Sequence, residues 1–406
     1  MKYGLLVNTR NTNLGDDIQS YAESCFLPRV DCILDRENLD TFKEGDGTEP
    51  VATIMGAWFM WHKYNWPPAR QIVPLLVGYH HFNRPKDIME AINFSLPIFS
   101  DNYEGVGKQW LIDNGPVGCR DNYTKRVLEK RGIESYFSGC LTLTLPKQPE
   151  TADKGTYVAL VDLKPDVEEK VCGIIGDRYE IRKMSHSTEN LFWSPWEERK
   201  ARAIEYLTIY QNAKYVVTRR LHVALPCLAM GVPVLLIMGG KMNDPHRFDP
   251  YKSWLHFVNN KEFMENGYPD FDFENGTPNK PDYEETRAAL IKTIEDFISY
   301  CEENKDKPLE FFDKCTYTEE ELCSWRADFR KQMLKRVHNE GKTLFFAYRD
   351  LQKEQKLLQR QYRKLEKQKE RLEKEYEKLQ KRYETEVERE PFEALKTQIR
   401  RKRSKK

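Results

Sequence analysis

The segment Tyr215-Val216-Val217-Thr218-Arg219-Arg220-Leu221-His222-Val223-Ala224 delivers two arginines and a histidine to a single junction. The apolar run before them reads as a buried strand and the run after them as a helix. Arginines, the positive end of a helix dipole and free backbone amides together make an anion site, and an imidazole beside it titrates near neutral pH. A lone histidine is commonly structural; one that follows Arg219 and Arg220 at a strand end has the better claim to function. Gly118-Cys119-Arg120-Asp121 ends another strand with an arginine able to fork onto a carboxylate or phosphate. The plain alternative for Arg120 is a pairing with a neighbouring acid, and for Asp121 a helix N-cap. Asn13-Leu14-Gly15-Asp16-Asp17 offers a glycine turn and a helix start where backbone can approach a ligand. Gly239-Gly240-Lys241, with Asp244, His246 and Arg247 close behind, can form a backbone nest for an anion or diphosphate, or a loose surface loop.

The elements that position these junctions follow from hydrophobic patterning. Apolar runs at 2–8, 51–55, 72–77, 97–99, 116–119, 156–161, 179–184, 215–217 and 234–238 read as strands. Helical periodicity at 121–131, 167–175, 196–210 and 221–230 falls between them, with Gly132 and Gly231 as C-caps. Such alternation predicts an α/β fold with doubly wound parallel sheets. Residues 146–155 carry two prolines and no apolar period, and predict a linker between an N-terminal Rossmann-like domain (1–145) and a C-terminal one (156–340). Two such domains hold ligands in a cleft at the carboxyl ends of their strands. Residues 260–282 read as a surface loop, and 283–303 and 318–338 as closing helices.

The chain has 406 residues and a net charge of +1, from 65 Lys and Arg against 64 Asp and Glu. The balance is uneven. Residues 344–406 hold 21 basic against 12 acidic side chains, leaving 44 against 52 for residues 1–343. An acidic body argues against a nucleic-acid partner. No apolar run approaches the ~18 residues of a membrane span, and the opening residues read as a strand rather than a leader. Nine scattered cysteines without a Cys-x-x-Cys pair suggest free buried thiols in a reducing cytoplasm, and no His/carboxylate cluster has metal-ligand spacing. Leucines at 344, 351, 358, 365, 372 and 379 keep steps of seven, opposite Tyr348, Gln355, Tyr362, Lys369, Tyr376 and Tyr383. This predicts a coiled coil over 341–390, pairing as a homodimer through 344–386, with a solvated single helix as the alternative. Residues 391–406 read as a basic disordered tail suited to peripheral contact with an anionic inner membrane face.

These residues also match a known family. Asn13-Leu14-Gly15-Asp16-Asp17 resembles the N-terminal Asn-x-Gly-Asp signature of the polysaccharide pyruvyl transferases. Gly118-Cys119-Arg120-Asp121-Asn122-Tyr123 resembles their Gly-x-Arg-Asp segment. Arg220-Leu221-His222 with Ala229-Met230-Gly231-Val232-Pro233-Val234 resembles their Arg-Leu-His…Ala-x-Gly-x-Pro block, the most specific of the three. The match spans about residues 4–260 and leaves out the coiled coil and tail. It implies a GT-B-like pair of Rossmann-like domains. It also implies transfer of pyruvate from phosphoenolpyruvate to a sugar of a cell-surface glycan or its lipid-linked precursor, without a cofactor. His222 would then be the general acid, Arg220 would hold the donor phosphate or carboxylate, and Arg120 would be a second anion ligand. Arg219, Asn13, Asp16, Gly239 and Gly240 would complete the binding surface. Lys164 is the only basic residue where relatives carry one on the strand opening the second domain, and Ser138-Gly139-Cys140-Leu141 lacks the acid of their Gly-Asp-Pro segment. The alternatives are a nucleotide-sugar glycosyltransferase of the same architecture and a non-catalytic coiled-coil assembly protein with a degenerate transferase body.

Overall fold

The structure is a computed structural model that describes residues 1–8, 11–59, 66–81, 104–187, 191–192, 194–239, 245–339, 363–375 and 378. Within these it is an α/β protein built on parallel sheets. The first sheet has the order β2-β1-β3-β4, formed by Cys32–Asp35, Lys2–Val7, Val51–Ile54 and Ile72–Leu75. A short parallel pair, β5 (Val117–Cys119) with β6 (Ser135–Phe137), joins it through a parallel bridge between Tyr79 and Cys119. The second sheet has five parallel strands in the order β11-β10-β9-β7-β8. In chain order they are β7 (Tyr157–Val161), β8 (Glu180–Met184), β9 (Val216–Thr218), β10 (Val234–Met238) and β11 (His256–Asn259).

Both sheets reverse strand order beside their first strand, between β1 and β3 and between β7 and β9. Loops leaving neighbouring strands at such a point part in opposite directions and open a crevice at the carboxyl ends. The strands there are almost wholly apolar, with Thr53 and Thr218 the exceptions, and every residue of β3, β7 and β9 is buried.

The helix after β1, α1 (Leu14–Ser24), packs Ile18 and Ala22 into a core shared with Ala203, Leu207 and Tyr210 of the Trp196–Asn212 helix and Leu225 and Leu228 of the Leu221–Met230 helix. Elements of both sheets thus share one continuous hydrophobic cluster, and the described residues up to Gln332 belong to one compact unit. The proline-bearing stretch 146–155 is pinned to the end of the Trp196–Asn212 helix. The amides of Gln148 and Thr151 donate to the side chains of Gln211 and Asn212 at 3.1 and 2.8 Å, and that of Gly155 to the Asn212 carbonyl at 2.7 Å.

One expectation is corrected. Residues 260–282 are not simply a surface loop: Asn260–Asn266 is a helix capped by the Asn259 side chain, which accepts from the Glu262 amide at 2.9 Å. Phe263 and Phe271 are buried with Tyr215 beneath the second sheet, a cluster whose spacing follows no simple period. The expected strand at 97–99 lies outside the described residues, as does most of the leucine heptad; residues 363–375 are helical.

Candidate active site

Arg120 stands at the carboxyl end of β5, where its amide donates to the Tyr79 carbonyl at 2.8 Å and its own carbonyl accepts from the Tyr251 hydroxyl. The residue is 0% exposed, yet among the described residues none of its three guanidinium nitrogens has a hydrogen-bond partner. Its one described neighbour in kind is the Trp58 ring, 5.8 Å from the guanidinium carbon. Next to it, Asp121 accepts from the Thr124 amide at 2.7 Å as the N-cap of the Asn122–Glu129 helix. The same carboxylate meets Nδ1 of His80 at 2.6 Å. Burial alone would raise the Asp121 pKa, but the contact with His80 and the cap bond outweigh it and hold the carboxyl below its usual range.

His222 opens the Leu221–Met230 helix at a kink, with φ −79° and ψ 17°. It is 4% exposed, and its Nε2 faces the Cys140 sulfur at 3.8 Å. Its other flank is closed by Gly15 of α1, where a Cβ would lie 2.7 Å from Nδ1. Burial first, then the charges of Arg120 and Arg247, hold the imidazole pKa well below its ordinary value. This differs from the expectation of a group titrating near neutral pH. The ring is neutral because it is dry and faces two cations.

Arg220 behaves in the opposite way to Arg120. It lies at the β7/β9 crevice with its side chain 38% exposed, and its Nε donates to Asp162 Oδ2 at 2.7 Å. Asp162 follows β7 in a left-handed conformation, φ 51°, and also accepts from Ser185 Oγ and the His186 amide at 2.7 and 3.0 Å. The pairing with an acid considered for Arg120 therefore belongs to Arg220. Arg219 is exposed, and Lys164 precedes the Pro165–Ile175 helix, with no bond among the described residues to Arg120, Arg220 or His222.

Asp16 and Asn13 are brought together at the start of α1. Asp16 is 7% exposed and accepts from Asn8, Asn11, Asn13 and Arg36 at 3.4, 3.1, 3.3 and 3.4 Å. Asn13 caps the helix by accepting from the Gly15 amide. Both therefore hold the turn that carries Gly15 to His222. Gly239 follows β10 and lies against the Asn260 side chain, which a Cβ would strike, so its missing side chain makes room for a protein group. Gly240 lies outside the described residues.

Sequence reasoning missed His80, Cys140 and Asp162 as members of this region. Adjacent histidines after the β4 strand, His80-His81, were a usable signal, and Cys140 was marked only by the acid that its segment lacks; nothing local marks Asp162.

The family model for the polysaccharide pyruvyl transferases matches residues 109–239, a span that contains Arg120, Cys140, Asp162, Arg220 and His222. No curated protein matches the chain. Among solved structures, a functionally uncharacterized protein, KP1_0663 of Klebsiella pneumoniae subsp. pneumoniae NTUH-K2044, aligns over 64% of this chain and 92% of its own, with 12% identity and a TM-score of 0.34.

Proposed function

We propose that the chain is a pyruvyl transferase that takes phosphoenolpyruvate as donor and a pair of hydroxyls on a glycan sugar as acceptor, in a GT-B-like arrangement of its two sheets. Arg120 carries this reading. A buried guanidinium whose nitrogens have no hydrogen-bond partner among the described residues is costly in a folded protein, because it has lost water and only the neighbouring Asp121 charge offsets the loss. An anionic ligand is the natural complement, and phosphoenolpyruvate offers a phosphate and a carboxylate to Arg120 and to Arg247, the second cation acting on His222. The family match over residues 109–239, which include Arg120 and His222 but not Arg247, supports the pyruvyl donor.

The chemistry assigns His222 the proton. Ketal formation needs a proton delivered to the enol carbon, attack by one sugar hydroxyl on the neighbouring carbon, and attack there by the second hydroxyl with loss of phosphate. The resting imidazole is neutral and cannot be that acid. A bound dianion offsets the part of the depression that Arg120 and Arg247 add to burial and so favours the imidazolium, which couples the acid to the donor. Arg220, held by Asp162 at the neighbouring crevice, would meet the acceptor side or the leaving phosphate.

The coiled coil and tail would pair two copies and keep the enzyme near an anionic surface where lipid-linked acceptors reside. Among the described residues no helix is long and apolar enough to cross a membrane. A phosphate-release assay with phosphoenolpyruvate and a panel of acceptor oligosaccharides and glycolipids tests the activity. Release that depends on acceptor supports it. No release with any acceptor, together with a melting temperature that phosphoenolpyruvate leaves unchanged, overturns it.

A further inference from the structure

Cys140 is fully buried. It follows Gly139, a left-handed turn residue at φ 76°, and precedes a short 3-10 helix, Leu141–Thr144, whose four residues are buried. The sulfur is therefore fixed from both sides. It faces His222 Nε2 at 3.8 Å and receives the Thr142 hydroxyl at 3.3 Å. A thiol carries one hydrogen and weak acceptor lone pairs. With Thr142 donating to the sulfur, the S–H is left to donate, and the ring nitrogen in front of it is Nε2. A neutral imidazole whose Nε2 accepts must carry its own hydrogen on Nδ1.

We propose that Cys140 is a positioning residue for His222: its thiol donates to Nε2 and fixes the Nδ1–H tautomer, with the Nδ1 edge turned toward Gly15 and the start of α1. This rests on the reading of His222 as the acid of the proposed reaction. The geometry agrees from the other side, where a Cβ built on Gly15 would stand 2.7 Å from Nδ1. The titratable and charged groups acting on the ring are Arg120 from β5, Arg247 from the 245–251 turn, His186 after β8 and His80 after β4. None of these is an acid that would favour the imidazolium, and the thiol does not supply one. A carboxylate in place of Cys140 would accept from Nε2–H and draw the proton to that nitrogen. The residue at position 140 thereby decides which ring nitrogen holds the hydrogen.

Two-bond proton–nitrogen correlation spectra of the full-length protein labelled at histidine nitrogen read the tautomer directly, with His222→Gln assigning the signal. The wild type is expected to show Nδ1–H. Cys140→Ser keeps a donor and should retain that pattern. Cys140→Ala should give mixed tautomers, and Cys140→Asp should give Nε2–H with an imidazole titration moved to higher pH. In the phosphate-release assay Cys140→Ala should lower kcat with little change in the donor KM, and Cys140→Ser should recover most of it. Nε2–H in the wild type, or an unaltered tautomer in Cys140→Ala, overturns the assignment. Because the spectra need no turnover, a tautomer result as expected beside absent phosphate release and a melting temperature that phosphoenolpyruvate leaves unchanged would sink the pyruvyl-transfer reading while leaving the thiol–imidazole contact in place.

Discussion

Gly15 and His222 touch across the boundary between the two sheets: a methyl on Gly15 would lie 2.7 Å from Nδ1 and 2.9 Å from Cβ of the histidine. Gly15 belongs to the helix after β1, and His222 to the helix after β9. On an open helix, Gly→Ala stabilises by about 0.5–1 kcal/mol. Here the added carbon displaces a buried ring, so Gly15→Ala should destabilise by about 1–3 kcal/mol, the cost of overpacking. Urea unfolding at neutral pH reads the sign. A raised midpoint would mean that the ring has room to retreat.

Arg120 gives the opposite trade. Replacing a buried, unpaired cation by an apolar side chain of similar length removes a desolvated charge. Arg120→Met is therefore expected to stabilise the free protein by about 1–4 kcal/mol. The same variant should lose the rise in melting temperature that phosphate or phosphoenolpyruvate gives the wild type. Thermal melts with and without each anion make both comparisons, and an anion-induced shift that survives in Arg120→Met would place the anion elsewhere.

His222→Gln keeps a polar side chain at the kink but cannot deliver a proton. Turnover should drop on the order of a hundredfold or more, with donor binding largely kept. Near-normal turnover would remove His222 from the chemistry.

His186 links the fold to pH. It is buried, its Nε2 lies 2.8 Å from the Tyr210 hydroxyl, and burial pushes its pKa from 6.5 down to about 3. Below 6.5 the unfolded chain takes up a proton that the folded one refuses, so stability is lost as pH falls from 6.5 toward 3. The slope from this one group reaches about 1.4 kcal/mol per pH unit. The stability curves of wild type and His186→Gln should converge on acidification. Parallel curves between about pH 7 and about pH 4 would show that His186 does not govern the loss.

Leu365 and Leu372, one heptad apart on the 363–375 helix, are 64% and 66% exposed. A second copy of this helix is the expected cover. Leu365→Asp with Leu372→Asp, or a chain ending at His338, should be monomeric in light scattering where the full chain is a dimer. Equal masses would rule out self-pairing.

The strands that position the site were legible because burial on both faces leaves continuous apolar runs, as in β1, β7 and β10. Gly231 at φ 74° closes its helix where the pattern breaks, as its place in the sequence suggests. β2 and β6 were not legible, being short and only partly buried. Arg120 and His222 stood out because chemistry-bearing residues at strand-to-helix junctions sit at crevices. Their partners did not. Asp162 meets Arg220 only because β7 lies beside β9, 58 residues apart in the chain, and Cys140 meets His222 across 82 residues. Nothing local encodes such pairs; sheet order does.

The bond between Asp17 and Arg199 sets a timetable for synthesis. Arg199 is 0% exposed and grips the carboxylate with Nε at 2.8 Å and Nη2 at 3.2 Å, while its remaining donors satisfy the carbonyls of Leu191 and Asn11. The two partners are 182 residues apart. At about 5–20 residues per second, a ribosome makes Asp17 roughly 10–35 s before its arginine. Through that interval the face of α1 that carries Asp17 lacks both its covering helix and its arginine. The packing of the N-terminal half is thus completed only after the helix at 196–212 has been made, because that helix supplies both the apolar cover of α1 and the partner of Asp17.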